Sequence, residues 1–282
     1  MSQGARSTRG EEKERKVKIK ICLAGATGNV GRALAHAILR SEDLELVGAV
    51  SRTYQNRNLG EVLGTPKVEL IISGTVQEAF TTKADVLIDY TSPSIVKGHV
   101  LFAIDKGTNV VIGTSGLTEE DYVEIDSAAR SKGVGVLAGG NFAITAILMQ
   151  RFALMAAKHI PHWEIVDYAN ANKIDAPSGT SSELAARLSQ IRRPVLKHPV
   201  EETHGPKESR GASIGGAQVH SIRLPGYGFS AEVIFGMANE KLIIRHEAGG
   251  SSEPYVAGTL LAARKVVSFV GLVMGIDHFM DF

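Results

Sequence analysis

The residues with the clearest chemical character lie in the run Lys173-Ile-Asp-Ala-Pro-Ser-Gly-Thr180. Ser178 and Thr180 place hydroxyls at the start of a predicted helix, where free backbone amides and the helix dipole attract an anion. Gly179 keeps those amides accessible, and Lys173 adds a positive charge. The run therefore predicts a binding site for a small carboxylate, although a capped helix beside a solvent-facing lysine explains it equally well when it is taken alone.

A second motif, Gly25-Ala-Thr-Gly28-Asn-Val-Gly31, has the G-x-x-G-x-x-G spacing of a dinucleotide-binding loop. It lies between a strand-like run and a helix-like run. Glycines at this spacing allow a tight turn, close approach of a pyrophosphate to the backbone, and close packing of the helix on the strand. The motif predicts a cofactor site made by seven consecutive residues: Gly25, Ala26, Thr27, Gly28, Asn29, Val30 and Gly31.

The identity of the cofactor depends on the end of the second predicted strand, Ala49-Val-Ser-Arg52. NAD-dependent enzymes usually have Asp or Glu here, because a carboxylate binds the ribose hydroxyls. Ser51 and Arg52 suit a 2′-phosphate instead, since a guanidinium forms bidentate hydrogen bonds with phosphate. The sequence predicts NADPH as the preferred cofactor and NADH as the second choice, with a solvated Arg52 that binds nothing as the alternative.

The elements that position these motifs alternate between strands and helices in the first half of the chain. Helices are predicted at 32–40 and 119–132. Strands are predicted at 17–24, 44–50, 85–89, 109–112 and 135–137. Such alternation is typical of parallel strands with right-handed crossovers, so we expect a Rossmann-like, doubly wound α/β fold.

The second half has a different pattern and predicts an α+β domain for substrate binding and oligomerisation. After an apolar helix at 143–158, alternating segments typical of a largely antiparallel sheet follow at 217–224, 231–235 and 241–247. We expect a mobile loop at 200–216 and core positions for Phe152 and Trp163. A last apolar helix from Pro254 is expected to pack on the first domain. The predicted division is a disordered tail at 1–16, a dinucleotide domain at 17–142 plus 254–282, and a second domain at 143–253.

Composition argues against several other classes of protein. A formal charge of +1 and 22% charged residues give no reason to expect nucleic-acid or membrane binding. The apolar runs are all shorter than the ~18 residues that cross a bilayer. The nine histidines have no zinc-site spacing, so no metal is expected. Cys22 lies in an apolar run and is predicted to be a buried, inert thiol, which fits a reducing, cytoplasmic location.

Taken together, the motifs resemble the dihydrodipicolinate reductase family, from about Val17 to the C terminus. The segments that carry the resemblance are the glycine loop, Asp85-Val-Leu-Ile-Asp-Tyr-Thr91, Val111-Ile-Gly-Thr-Ser-Gly116, Gly140-Asn-Phe142, the run 173–180, Ile214-Gly-Gly216 and His220-Ser-Ile-Arg-Leu-Pro-Gly226. The resemblance implies an NAD(P)H-dependent oxidoreductase of lysine (diaminopimelate) biosynthesis. It implies hydride transfer to a small cyclic imine-type dicarboxylate by a homo-oligomer, commonly a tetramer built through the second-domain sheets.

The resemblance also assigns roles to individual residues. The nicotinamide is expected beside Thr91, Gly113, Thr114, Asn141 and Phe142. The substrate is expected to contact Thr114, Asn170, Lys173, Ser178, Gly179, Thr180 and Arg223. Lys173 is also the predicted catalytic residue, because its ammonium can assist protonation.

The chain departs from the family pattern at the proton donor. Members typically have two adjacent histidines four and three residues before the lysine, and the first is thought to act as general acid. Here those positions hold Ala169 and Asn170, and Ser230 replaces another family histidine. Alanine cannot donate a proton, and the asparagine amide does not titrate.

Three interpretations of this departure are open. The protein reduces the family substrate weakly, with Lys173 or water as the acid. It reduces a different imine or keto acid, with new contacts from Tyr168, Asn170 and Asn172 and with His204 as a substitute donor. Alternatively, it is a non-catalytic subunit that binds the cofactor.

Overall fold

The computed structural model describes residues 17–280, so the predicted tail at 1–16 lies outside the described residues. Its strands, in chain order, are β1 (Ile19–Ala24), β2 (Leu44–Val50), β3 (Val86–Asp89), β4 (Asn109–Ile112), β5 (Gly135–Ala138), β6 (Trp163–Ala169), β7 (Ala212–Ile214), β8 (Ala217–Arg223), β9 (Phe229–Met237), β10 (Glu240–Ala248) and β11 (Gly271–Met274). Its helices are α1 (Asn29–Arg40), α2 (Leu59–Leu63), α3 (Val76–Ala79), α4 (Pro93–Asp105), α5 (Glu119–Lys132), α6 (Ile144–Ala157), α7 (Gly179–Ile191) and α8 (Pro254–Lys265).

A six-stranded parallel sheet organises the first half of the chain, in the order β11-β5-β4-β3-β1-β2. Separate apolar clusters cover its two faces. Because both faces are covered, the strands are rich in apolar residues, as in β3, where all four residues are buried and the first three are apolar. This sheet confirms the predicted Rossmann-like fold.

The edge strand β11 was not predicted from the sequence. It pairs in parallel with β5 and follows α8, so the last part of the chain completes the first sheet. The apolar run Gly271-Leu-Val-Met274 is too short to be distinguished from the end of a helix by its periodicity. The predicted packing of α8 on the first domain is confirmed: Arg264 pairs with Asp43 at 2.7 Å, and the backbone of Gly258 lies against Phe142.

A five-stranded sheet organises the second half, in the order β10-β9-β6-β8-β7. It is antiparallel except for the parallel pair β6 and β8. Its inner face, which includes Trp163 and Ile165, packs against α6 and α7. The opposite face carries Tyr168, Glu232 and Arg245 and is called the outer face below.

Two predictions for the second half were wrong. The stretch 200–216 is not one loop: it contains two single-turn 3-10 helices, Val200–Glu202 and Lys207–Arg210, and the strand β7. Glycines and charged residues hid these short elements in the sequence. Phe152 is not in the core but 44% exposed, because the buried side of α6 carries Met149 and Ala153 instead.

Two further observations concern Cys22 and the membrane. Cys22 is fully buried, as predicted, and burial raises the pKa of its thiol to about 12. Such a thiol stays protonated and inert at neutral pH. Among the helices in residues 17–280, none is long and apolar enough to span a membrane.

Candidate active site

The glycine loop between β1 and α1 has the geometry that a pyrophosphate site needs. Gly25 has φ +83°, and a Cβ there would lie 2.1 Å from the Tyr90 carbonyl oxygen. A Cβ on Gly31 would lie 2.0 Å from the Gly25 carbonyl oxygen. Gly28 is the N-cap of α1, and no side chain caps this helix end. The first amides of α1 are therefore left for an anion.

Two cavities meet at this loop and gather most of the predicted cofactor residues. One, of about 640 Å³, is lined by Gly25, Gly28, Val50, Ser51, Arg52, Thr53, Gly74, Thr75, Gln77, Tyr90, Thr91, Ser92, Ser94, Ile95, Gly98 and His99. The other, of about 370 Å³, is lined by Gly28, Asn29, Val30, Gly31, Tyr90, Thr91, Pro93, Gly113, Thr114 and Ser115. We name them, after the halves of a dinucleotide that they are predicted to bind, the adenosine cavity and the nicotinamide cavity.

Two residues of the glycine loop, Ala26 and Thr27, line neither cavity but help to hold the loop in place. Ala26 is fully buried beneath the loop. The Thr27 hydroxyl lies 2.6 Å from the Ser51 hydroxyl and so ties the loop to the end of β2. Arg52 is exposed beside them, and no Asp or Glu lines the adenosine cavity in the described part of the chain.

The nicotinamide cavity is shaped by close packing around Tyr90. A Cβ on Gly113 would lie 2.2 Å from the Tyr90 ring, so glycine is required there. The Asn141 side chain accepts a hydrogen bond from the Ala143 amide at 2.8 Å, which fixes the start of α6. The Phe142 ring is buried and packs edge-on against Tyr90, with ring centres 6.3 Å apart. Phe142 therefore packs behind Tyr90 in the core and does not itself line the nicotinamide cavity.

The run 173–180 forms the turn into α7, as predicted. Ser178 is the buried N-cap and accepts a hydrogen bond from the Ser181 amide at 3.3 Å. A Cβ on Gly179 would meet no atom within 4 Å, so the space at the first residue of α7 is open. Thr180 is half-buried beside it. An anion has access to the amides at this helix start.

Asp167 holds this turn in place and was not predicted from the sequence. Its buried carboxylate accepts hydrogen bonds from the Ser178 amide (3.0 Å) and hydroxyl (2.6 Å). It also accepts from the Ser181 hydroxyl at 2.9 Å and from Arg223 Nη2 at 2.6 Å. Its position shares the inner face of β6 with Trp163 and Ile165, and a carboxylate on a buried face is a signal that could have revealed it.

Three further predicted substrate residues lie around the same turn. Lys173 Nζ lies 2.8 Å from Asp175 Oδ1. The Asn170 side chain accepts from the Asn172 amide at 3.0 Å. Arg223 Nη2 also donates to the Asp175 carbonyl oxygen at 2.7 Å. The structure thus brings Asn170, Lys173 and Arg223 to one turn. Ser178 and both Nη atoms of Arg223 already have partners within the protein, whereas the buried Arg223 Nε has none among the described residues.

The start of α7 faces the dinucleotide half of the molecule. Glu183, one turn after Thr180, lies so close to Gly140 that a Cβ there would be 3.3 Å from its Oε2. Glu183 lines a third cavity, of about 410 Å³, together with Thr114 and Asn141. Glu183 of α7 therefore borders the same cavity as Thr114 and Asn141, whereas residues 170–180 do not line it.

Comparisons with known proteins identify the family. A family model described as "Dihydrodipicolinate reductase, N-terminus" matches residues 19–142, and one described as "Dihydrodipicolinate reductase, C-terminus" matches residues 145–280. The chain belongs to the dihydrodipicolinate reductase family. It is accordingly an NAD(P)H-dependent oxidoreductase.

Individual relatives cover nearly the whole chain. The 4-hydroxy-tetrahydrodipicolinate reductase of Desulfitobacterium hafniense is 40% identical over 266 residues, which are 94% of this chain and 99% of the relative. The reductase of the same name from Bacillus subtilis is 36% identical over 265 residues, covering 93% of this chain and 98% of the relative. The dipicolinate-bound dihydrodipicolinate reductase of Paenisporosarcina sp. TG-14 is 28% identical, covers 94% of this chain and all of its own, and has a TM-score of 0.81.

For a member of this family, the positions of the missing histidines are informative. Ala169 is fully buried at the end of β6, and Ser230, buried on β9, lies opposite Tyr168. His204 is exposed and lines none of the cavities described above, so nothing in its position supports the prediction that it replaces the missing donor. Within the run 173–180, Lys173 is the residue whose side chain carries a proton at neutral pH, and it pairs with Asp175.

The buried carboxylate of Asp167 leads to a stability prediction. Burial alone would raise its pKa, but hydrogen bonds from Ser178, Arg223 and Ser181 outweigh burial and hold the pKa below its ordinary value. Asp167→Asn should lower the free energy of unfolding at pH 7 by ~3 kcal/mol, since Arg223 loses its buried partner. Because the folded-state pKa is depressed, this contribution is present above the unfolded pKa of ~3.9 and is lost as pH falls through the folded value.

Urea unfolding of wild type and Asp167→Asn, followed from pH 7 downwards, measures this difference. Asp175→Asn is the matched control, because Asp175 is an exposed carboxylate on the same turn. An Asp167→Asn variant as stable as the control at pH 7 would contradict the assigned role.

Proposed function

We propose that this protein reduces 4-hydroxy-tetrahydrodipicolinate, or the cyclic imine derived from it, in lysine (diaminopimelate) biosynthesis. The observation that carries the proposal is the geometry of α7: the space at its first residue, Gly179, is open, and its next turn, at Glu183, reaches the cavity that Thr114 and Asn141 line. Its relatives from Desulfitobacterium hafniense and Bacillus subtilis bear the corresponding reductase name. The dinucleotide domain is 17–142 plus 254–282, the last two residues lying outside the described ones, and the substrate domain is 143–253.

We assign separate roles to the predicted substrate residues. The amides at Gly179 and Thr180 bind one substrate carboxylate, and Lys173 neutralises its charge. Asn170 and Thr114 add polar contacts, while Ser178 and Arg223 hold the turn through Asp167. A bound nicotinamide supplies the hydride. Lys173 donates the proton to the reduced substrate, with water as the alternative donor.

A steady-state assay with 4-hydroxy-tetrahydrodipicolinate and either NADPH or NADH tests the proposal. Turnover within the usual enzyme range of ~1–10³ s⁻¹ is the expected result. Activity confined to other cyclic imines or keto acids would move the assignment to a different substrate. Cofactor binding without turnover on any of these compounds would make the chain a non-catalytic subunit.

Preference for NADPH is part of the proposal, and Arg52 provides its test. Arg52→Ala should weaken NADPH binding by about 10- to 100-fold, because charged hydrogen bonds of ~1.5–3 kcal/mol to the 2′-phosphate are lost. Binding of NADH, which has no such phosphate, should change by less than twofold. Calorimetric titration of both cofactors measures the two effects, with Arg40→Ala, an exposed arginine at the end of α1, as control. Equal losses for the two cofactors would refute the assignment of Arg52.

We further propose a homotetramer, assembled through the outer face, in the cytoplasm. On that face Tyr168 donates to Glu232 at 2.9 Å, and the Arg245 guanidinium stacks 4.6 Å above the Tyr168 ring. Ile243 is exposed on the same face. Light scattering of the purified chain measures the number of subunits.

A further inference from the structure

Asp89 is a buried charge for which the proposed function has no role so far. It ends β3, a central strand of the parallel sheet, and its side chain is fully buried. In doubly wound sheets, ligands bind beyond the carboxyl ends of the strands. A carboxylate is costly to bury at this place unless donors surround it.

Four donors do surround it. Asp89 Oδ1 accepts from the Thr91 amide at 3.1 Å, the Thr91 hydroxyl at 2.7 Å and the Thr114 hydroxyl at 2.7 Å. Asp89 Oδ2 lies 2.8 Å from His99 Nδ1. Thr91 and Thr114 line the nicotinamide cavity, and His99 lines the adenosine cavity. The Asp89 carboxylate is therefore hydrogen-bonded to residues that line both the nicotinamide cavity and the adenosine cavity.

The direction of these hydrogen bonds determines what Thr91 can do. An ionised carboxylate only accepts, so the Thr91 hydroxyl must point its proton at Asp89. Its oxygen is then left with acceptor capacity alone. Thr114 is constrained in the same way, and its oxygen already accepts from the Thr91 amide at 2.7 Å. The Thr91 oxygen therefore keeps both lone pairs for a ligand, whereas the Thr114 oxygen keeps one.

We infer that Asp89 is a positioning residue that fixes the Thr91 hydroxyl as an acceptor for the carboxamide NH₂ of the nicotinamide. This inference rests on the proposed function, because it takes the cavity lined by Thr91 and Thr114 as the nicotinamide site. The carboxamide is the ring's hydrogen-bond donor, so an obligatory acceptor selects it over substituents that lack an N–H. It also limits how the ring is turned within the cleft.

Equilibrium binding tests the inference without any turnover. The probes are NADP⁺, its 3-acetylpyridine analogue, which lacks the NH₂, and 2′,5′-ADP, which lacks the nicotinamide. Wild type should bind NADP⁺ about tenfold more tightly than the analogue. Asp89→Asn should remove this preference, because an amide no longer dictates the direction of the Thr91 hydroxyl, while 2′,5′-ADP affinity stays within twofold of wild type.

A second pair of variants separates positioning from folding. Thr91→Val should abolish the preference for NADP⁺, and Thr91→Ser, which keeps the hydroxyl, should retain it. In the double variant Asp89→Asn/Thr91→Val, the loss of NADP⁺ affinity should be no larger than in either single variant, because both changes remove the same contact with the carboxamide.

The outcomes distinguish this inference from the proposed function. If wild type binds neither NADP(H) nor NAD(H), the proposed function fails. If wild type binds NADP⁺ but Thr91→Val keeps the preference over the analogue, the inference alone is overturned. If Asp89→Asn loses as much affinity for 2′,5′-ADP as for NADP⁺, the inference is also overturned, because Asp89 then has only a structural role.

Discussion

Replacing Lys173 with alanine should lower kcat/KM for 4-hydroxy-tetrahydrodipicolinate by about 10³-fold. The ammonium has two roles in the proposed site. Its charged contact with a substrate carboxylate is worth ~1.5–3 kcal/mol, or roughly 10- to 100-fold. Its help in protonation adds a further part of the ~10²–10⁴-fold that general acid catalysis supplies. The two losses together make this the largest expected effect on activity.

The affinity for NADPH should not change in Lys173→Ala, because this lysine lies outside both cofactor cavities. Steady-state kinetics and cofactor titration on one preparation measure the two effects together. Lys158→Ala is the matched control, since Lys158 is an exposed lysine at the end of α6. An unchanged kcat/KM in Lys173→Ala would remove this residue from the site.

Restoring the paired histidines with Ala169→His/Asn170→His should raise kcat for the same substrate by about 10²-fold, within the range of general acid catalysis. Ala169 is fully buried, so the larger side chain should also cost ~1–3 kcal/mol of stability unless the end of β6 adjusts. A gain in kcat despite this cost would show that proton supply limits the wild-type reaction.

The pH dependence identifies the source of that gain. A general acid must be protonated, so kcat of the histidine variant should fall as pH rises through the imidazole pKa of ~6.5, and wild type should lack this inflection. Ala169→Gln/Asn170→Gln has side chains of similar size that do not titrate, and it should show neither effect. If the histidine variant folds and binds both ligands but turns over no faster than wild type, proton supply is not the limiting step.

The sequence predicted well the features that depend on periodicity or on glycine geometry. The strands rich in apolar residues follow from a sheet covered on both faces. The contacts of Gly25 and Gly31 explain why the glycine loop was recognisable before any coordinates. Short elements were harder, because β7 and β11 have three and four residues and no periodic signal.

The parts of the candidate site that could not be predicted from the sequence are contacts between buried polar residues that lie far apart in the chain. Asp167 is recognised by its contact with Arg223, 56 residues away. Asp89 is recognised by its contact with Thr114, 25 residues away. A lone aspartate at the end of an apolar strand does not reveal these partners, because strand pairing decides them. The motif residues were therefore predictable, whereas the partners that the two carboxylates hold were not.

The position of β11 has a consequence for synthesis on the ribosome. The sheet that carries the glycine loop is completed by Gly271–Met274, which follows the five-stranded sheet in the chain. The five-stranded sheet therefore emerges from the exit tunnel before that strand is made. Although N-terminal domains generally fold first during translation, here the nascent first sheet keeps an open edge at β5 until the whole five-stranded sheet has been synthesised.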